Sequence, residues 1–238
     1  MRALARIVAE ADGRSGTRLA RLRGEPPLQL RHTPDGSGAA TVHLIGSAAG
    51  PLGGDDLRIE IEVGAGAVLC VRTVAASIAL PGRDGARSRV SITADVAAGG
   101  ELRWLPEQLV AAAGCHHLAV STVELAEGAR LLWREELICG RHGEQPGNAV
   151  ISTSVGYGGA PLLRQSLSVG PDTPGWDGPA VLGAARATGS LLHVDPTLAS
   201  AGPQVLGPSA VRMPLTGPAS LVSATAADAH SLRGYLEP

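Results

Sequence analysis

The side chains best suited to hold a metal ion are Cys115-His116-His117, with Cys139 and His142 as a second pair further along the chain. A thiolate beside imidazoles is a donor set that suits nickel, copper or zinc. Adjacent residues of a strand point to opposite faces, so His116 and His117 cannot both address one ion, and such a site needs ligands from elsewhere. Free cysteines also serve as small apolar core residues, which is the competing reading of Cys115. The carboxylate pairs Asp55-Asp56 and Glu135-Glu136 fail as shared-proton dyads for the same geometric reason.

Other chemistry is excluded more firmly. The sequence has no Gly-x-Ser-x-Gly elbow, no His-Glu-x-x-His run, no Cys-x-x-Cys pair and no glycine-rich phosphate loop leading into a helix. All 20 basic residues are Arg, which removes a Schiff-base lysine, a Ser–Lys dyad and a Walker A lysine. The net charge of −2 is scattered over both signs, so no nucleic-acid footprint is present. Apolar runs fall short of the ~20 residues that span a bilayer, and Met1-Arg2-Ala3-Leu4-Ala5-Arg6 has no apolar signal core. Three cysteines without paired spacing fit reduced thiols and a cytoplasmic location.

The elements that must position these residues repeat one phrase. Val63-Gly64-Ala65-Gly66-Ala67-Val68-Leu69-Cys70-Val71, Val96-Ala97-Ala98-Gly99-Gly100-Glu101-Leu102-Arg103-Trp104 and Leu125-Ala126-Glu127-Gly128-Ala129-Arg130-Leu131-Leu132-Trp133 align as apolar, small turn, Gly, small, x, Leu, x, large apolar. A β unit cannot cover its own apolar face, so stacked copies bury a core between them. Leu69, Leu102 and Leu131 are then equivalent inward positions. Leu57, Ile59, Ile61 and Val63 alternate with Arg58, Glu60 and Glu62, and Val90 to Val96 repeats the pattern, which marks half-buried strands. His117–Leu125 carries apolar residues on both faces, as a strand covered on both sides does.

Further strands are expected over Arg2–Ala9, Arg18–Leu22, Thr41–Ile45, Ala149–Tyr157, Leu162–Val169 and Ser190–Val194. The dense Pro and Gly between Pro171 and Pro218 reads as long loops. One helix is expected from Thr225 to Leu236, with Ala229, Leu232 and Leu236 on one face and Thr225 or Ser223 as cap. A second short helix is expected over Pro179–Ala187. The expected fold is therefore all-β, a β-helical, solenoid-like layered structure with one or two short helices, in a single domain over 1–238.

Four stretches in order and register carry a resemblance. Pro51-Leu52-Gly53-Gly54-Asp55-Asp56-Leu57, followed by Ile61-Glu62-Val63-Gly64-Ala65-Gly66-Ala67, resembles the urease accessory protein UreD (UreH) family. Arg72-Thr73-Val74-Ala75-Ala76-Ser77, Glu101-Leu102-Arg103-Trp104-Leu105-Pro106-Glu107, and Trp133-Arg134-Glu135-Glu136 through Cys139-Gly140-Arg141-His142-Gly143-Glu144 match the same family. The chain departs from it at Ile78 and Leu80, where many relatives have Lys and an aromatic residue.

The resemblance implies a β-helical fold and a non-enzymatic task. That task is binding apo-urease and a UreF-like protein, which in turn holds a UreG-like GTPase, and passing nickel to urease through an internal channel. No cofactor is then bound permanently, and Ni2+ is transient cargo. Asp55, Ser77, Glu107 and Glu144 match polar family residues associated with that channel or its surroundings. Carboxylates and hydroxyls hold a hydrated divalent ion loosely, whereas a cage of Cys115, His116 and His117 would trap it. The alternative from another class is a β-helical enzyme acting on polysaccharide or acyl substrates, which needs convergent carboxylates or a positioned His in a cleft.

Overall fold

The computed structural model describes residues 1–34, 36, 38–197 and 202–237. The chain begins with strands β1 (Arg2–Ala11), β2 (Thr17–Gly24), β3 (Leu28–His32) and β4 (Ala40–Gly46). The repeated region supplies β5 (Asp56–Val63), β6 (Val68–Thr73), β7 (Ser77–Ala79), β8 (Ser88–Val96), β9 (Glu101–Leu105), β10 (Leu109–Ala111), β11 (His116–Leu125) and β12 (Arg130–Cys139). The rest forms β13 (Asn148–Tyr157), β14 (Ala160–Val169), β15 (Ala187–Val194), β16 (Gln204–Gly207), β17 (Ala210–Pro214), β18 (Ala219–Ala226) and the helix α1 (Ala229–Leu236). A single 3-10 turn at Arg83–Gly85 completes the regular structure among the described residues.

Two sheets face each other. One is seven-stranded in the order β14-β13-β11-β8-β5-β1-β2, and the other is eleven-stranded with the path β16-β17-β18-β15-β12-β9-β6-β4-β3. Each repeat crosses from the first sheet to the second through its glycine turn, as β5 to β6, β8 to β9 and β11 to β12. The register is the one the alignment requires: Val63 pairs with Val96 and Val96 with Leu125, while Leu69 pairs with Leu102 and Leu102 with Leu131. Gly66, Gly99 and Gly128 all take left-handed φ values of +71°, +70° and +83°, which explains why the phrase holds a Gly at that point. Leu69, Leu102 and Leu131 are buried with Ile7, Ile61, Val71 and Trp133 in one continuous core between the sheets.

The helix is shorter than expected. Thr225 belongs to β18, and Asp228 caps α1 by accepting from the Ser231 N–H at 2.7 Å. Leu232 and Leu236 are buried against Leu191, Val222 and Ala224 on the outer face of the larger sheet. The helix expected over Pro179–Ala187 does not form. Residues 179–184 are turns in which the Val181 and Gly183 N–H groups both donate to the Gly178 carbonyl, Gly183 has φ +58°, and β15 begins at Ala187. The region whose Pro and Gly content predicts long loops contains β16 and β17, and Pro214 closes β17 where the ladder ends.

Candidate functional site

The wall of the larger sheet is interrupted at one level. β9 pairs with the first half of β12, Arg130 to Trp133, and β10 pairs with its last three residues, Leu137 to Cys139. Between them the chain passes through Pro106, Glu107 and Gln108, so Arg134, Glu135 and Glu136 have no ladder partner on that side. Pro106 sits just past β9 and has no N–H to continue a ladder. The neighbouring layer breaks alike, with Val74, Ala75 and Ala76 between β6 and β7. Side chains satisfy the backbone at the break: Thr73 Oγ1 accepts from the Glu107 N–H at 2.9 Å, and Arg134 Nη2 donates to the Pro106 carbonyl at 3.0 Å.

The aligned breaks make a slot that opens on a cavity of about 370 Å³ between the sheets. Its inner wall is Leu57, Ile59, Val90, Ile92, Ala119 and Ile151, with polar groups from Ser121 and Glu135. Asp55, Ser77 and Glu107, three of the positions drawn from the resemblance, line it as well. Asp55 is buried before β5, where its Oδ2 accepts from the Leu52 N–H at 2.9 Å and its Oδ1 lies 2.7 Å from the Met1 amino nitrogen. Ser77 is exposed at the start of β7. The rim is apolar, with Val74 57% and Ile78 37% exposed.

An ion cluster borders the slot, with Glu107 and Glu136 on the cavity wall. Glu136 Oε1 is 2.9 Å from Arg134 Nε and 2.6 Å from Arg233 Nε, and Arg233 also donates to both oxygens of Glu107, at 3.3 and 3.1 Å. Burial pushes the Glu136 carboxyl above its ordinary value, and the two guanidiniums pull it back. The cluster ties α1 to the strand break, because Arg233 comes from the helix.

Glu144 is not on the cavity. It closes its own turn, accepting from the Arg141 N–H at 3.0 Å and from its guanidinium at 2.9 and 2.6 Å, which holds the carboxyl down at about 2. Its carbonyl accepts from Arg186 at 2.6 Å. Cys115 and Cys139 share a small core with Ala111, Ala149 and Val169, and burial pushes each thiol up to about 11. Cys115 donates to the Asn148 carbonyl at 3.7 Å. His116 turns outward, with Nδ1 3.8 Å from Asp172, while His117 turns inward to Ser88 at 2.9 Å. His142 is exposed. The described residues contain no group of three His, Cys, Asp or Glu side chains placed to hold a metal ion.

Burial lowers the His117 imidazole from 6.5 to about 4. An unfolded chain takes up this proton near pH 6.5 and the folded chain only near 4. The stability from keeping His117 neutral is therefore complete above about 6.5 and is lost as pH falls toward 4, by about 3 kcal/mol in total. His117→Asn, which keeps a hydrogen-bonding group near Ser88 and cannot titrate, should flatten that part of the curve. Urea titrations of both proteins from pH 7 to 4 check this, and parallel curves would contradict it.

The inward carboxyl of Glu135 has one signal in the sequence beyond its place in the Glu135-Glu136 pair. Leu131, Trp133, Glu135, Leu137 and Cys139 share one face of β12, and only Glu135 breaks that apolar run. Thr153 Oγ1 lies 2.7 Å from both its oxygens, and Ser121 Oγ donates to Oε1 at 3.3 Å. The buried Trp133 Nε1 beside it makes no hydrogen bond of standard geometry. Burial raises the Glu135 carboxyl above its ordinary value, with Thr153, Trp133, Ser121 and Gln165 opposing the rise.

Comparison with known proteins shows the family of the chain. The family model "UreD urease accessory protein" matches residues 1–237. The chain is 48% identical over 240 residues to the urease accessory protein UreD of Streptomyces avermitilis, covering 100% of this chain and 95% of that protein. It is 49% identical over 243 residues to UreD 3 of Streptomyces griseus, with the same coverage, and 45% identical over 272 residues to UreD of Frankia alni, covering 99% and 91%.

Proposed function

The chain belongs to the UreD urease accessory protein family, and from that premise we propose that it acts without catalysis of its own as a docking partner and nickel conduit in urease maturation. The partners are apo-urease, a UreF-like protein and, through it, a UreG-like GTPase, in the cytoplasm. The observation that carries this reading is the slot: an apolar rim around an internal cavity whose largely apolar wall carries the oxygen groups of Asp55, Ser77, Glu107, Ser121 and Glu135, formed where two layers break together. Exposed apolar patches rimmed by polar residues mark protein–protein contacts. Oxygen donors in a wet path bind a hydrated divalent ion weakly enough for it to move on.

Ni2+ is the cargo, and Asp55, Ser77 and Glu107 are the groups it meets at the opening. Glu144, its charge occupied by Arg141, lies beside Cys115, so its contribution is read as ordering the Gly140–Glu144 turn. The buried thiols and the divergent imidazoles of Cys115, His116 and His117 give no comparable support to a tight cage.

Val74→Arg tests the docking surface. A half-exposed rim position tolerates such a change within about 0.5 kcal/mol, so the variant should fold. It should also lose co-purification with the UreF-like protein and apo-urease, because a guanidinium replaces apolar area at the contact. Undiminished co-purification by a folded variant would overturn the assignment of the rim.

A further inference from the structure

We propose that the outer face of the smaller sheet is a self-association surface, on which a second copy of this chain packs about a two-fold axis. This goes beyond the conduit reading, which concerns the larger sheet and the space between the two. β1, β5, β8, β11 and β13 are five parallel strands, neighbours in that sheet. Parallel sheets are ordinarily covered on both faces. Here the larger sheet covers the inner face. Among the described residues no element lies on the outer one, because α1 packs on the larger sheet.

Strand alternation sets what this face carries. Leu118 and Val120 of β11 point outward, since His117, Ser121 and Val123 form the buried side of that strand. Val150 of β13 lies beside Leu118 in the ladder, Ser152 beside Val120, and Ser154 beside Thr122, so the centre of the surface holds no charge. Charges ring it. Arg89 and Asp95 stand exposed at opposite ends of β8, on the same face. Arg89 Nε donates to Ser91 Oγ at 2.9 Å, and neither Arg89 nor Asp95 has an ion-pair partner among the described residues. An uncharged centre inside a polar rim is the anatomy of a protein–protein contact.

The placing of those charges selects the occupant. A two-fold axis lying in the face, across the strands and between the levels of Ser91 and Thr93, sets each strand over its own copy with the direction reversed. Arg89 of each molecule then lies over Asp95 of the other, and two charges left unpaired in one chain are satisfied twice in the pair. Ser91 is level with Arg58 and Val120, and Thr93 with Glu60 and Thr122. The same axis therefore brings Arg58 over Glu60 and Val120 over Thr122. Asp56 and Glu62 are also superposed, but each keeps a guanidinium of its own, Arg58 at 3.1 Å and Arg6 at 2.5 Å. Glu124 comes over Leu118 at the open rim, where its carboxylate stays in water. Seven strands ~4.8 Å apart, over about eight residues of ~3.3 Å, give a face of about 900 Å². A stable interface needs roughly 800 Å² per partner.

Charge reversal in the purified full chain tests the pairing, with sedimentation velocity and light scattering as the readouts. The wild-type protein should be a dimer that dissociates on dilution and in high salt. Arg89→Asp and Asp95→Arg change exposed positions, so both should fold, as circular dichroism checks. Each sets like charges opposite one another twice and should raise the dimer dissociation constant at least tenfold. The double variant Arg89→Asp/Asp95→Arg restores opposite charges across the axis and should return the constant to within about threefold of wild type. The two side chains stand ~20 Å apart along one strand, so such a recovery arises between copies and not within one. A monomer at every concentration, a dimer indifferent to both single reversals, or a double variant as weak as either single one would each contradict the proposal. So would a monomeric chain whose Val120→Arg variant loses co-purification with the UreF-like protein or apo-urease, because the face would then belong to that partner.

Discussion

Leu102→Asp is expected to abolish folding. Leu102 is fully buried in the middle of three stacked layers, between Leu69 and Leu131 in register, so its side chain has core on both sides along the stack. An aspartate there would bury an uncompensated charge, at a cost of several kcal/mol against a total stability of roughly 5–15 kcal/mol. The lost apolar burial and packing add about 2–5 kcal/mol, the cost of truncating such a leucine to Ala. The same outcome is expected for Leu69→Asp and Leu131→Asp, because the repeat makes the three positions equivalent. Circular dichroism and soluble expression report the result. A soluble Leu102→Asp protein with the wild-type β spectrum would mean that the stacked leucines are not the core.

Much of this fold is written in local pattern. The period-two alternation of Leu57 to Val63 and the glycine turn of each repeat fix where a strand runs and where it reverses. Three copies of the phrase fix which residues stack, and the observed pairing of Val63, Val96 and Leu125 follows from that alignment. β16 and β17 were hidden because Pro and Gly flank them closely, and their pairing is a property of the antiparallel hairpin, not of local propensity. Helix α1 starts later than its apolar periodicity allows, because β18 holds Thr225 in a ladder with Thr188 and leaves Asp228 as the cap.

The candidate site is legible only in parts. Pro106 and the carboxylate of Glu107 are visible in the sequence, yet the slot requires that two layers break at one level, which is a tertiary coincidence. Arg233 lies 126 residues from Glu107 in the chain, so nothing local announces their ion pair. The geometric argument against a Glu135-Glu136 dyad holds, since the first faces the cavity with Thr153 and the second faces Arg134 and Arg233. What local pattern does not convey is that hydroxyls from β11 and β13 gather on the inward one.

The central claim is that an ion passes through the space between the sheets, and closing that space tests it most directly. Ala119 faces the cavity from the middle of β11, opposite the wall that carries Glu135. Ala119→Phe places an aromatic ring in the roughly 370 Å³ void without adding or removing charge and without touching the rim. Added bulk in an open cavity strains the structure less than in a packed core, where overfilling costs about 1–3 kcal/mol. The variant should therefore fold and co-purify with the UreF-like protein and apo-urease. Nickel-dependent activation of apo-urease by that purified complex is the measurement. Activation at background level with the complex intact is the expected result, and full activation by an intact Ala119→Phe complex would contradict the account.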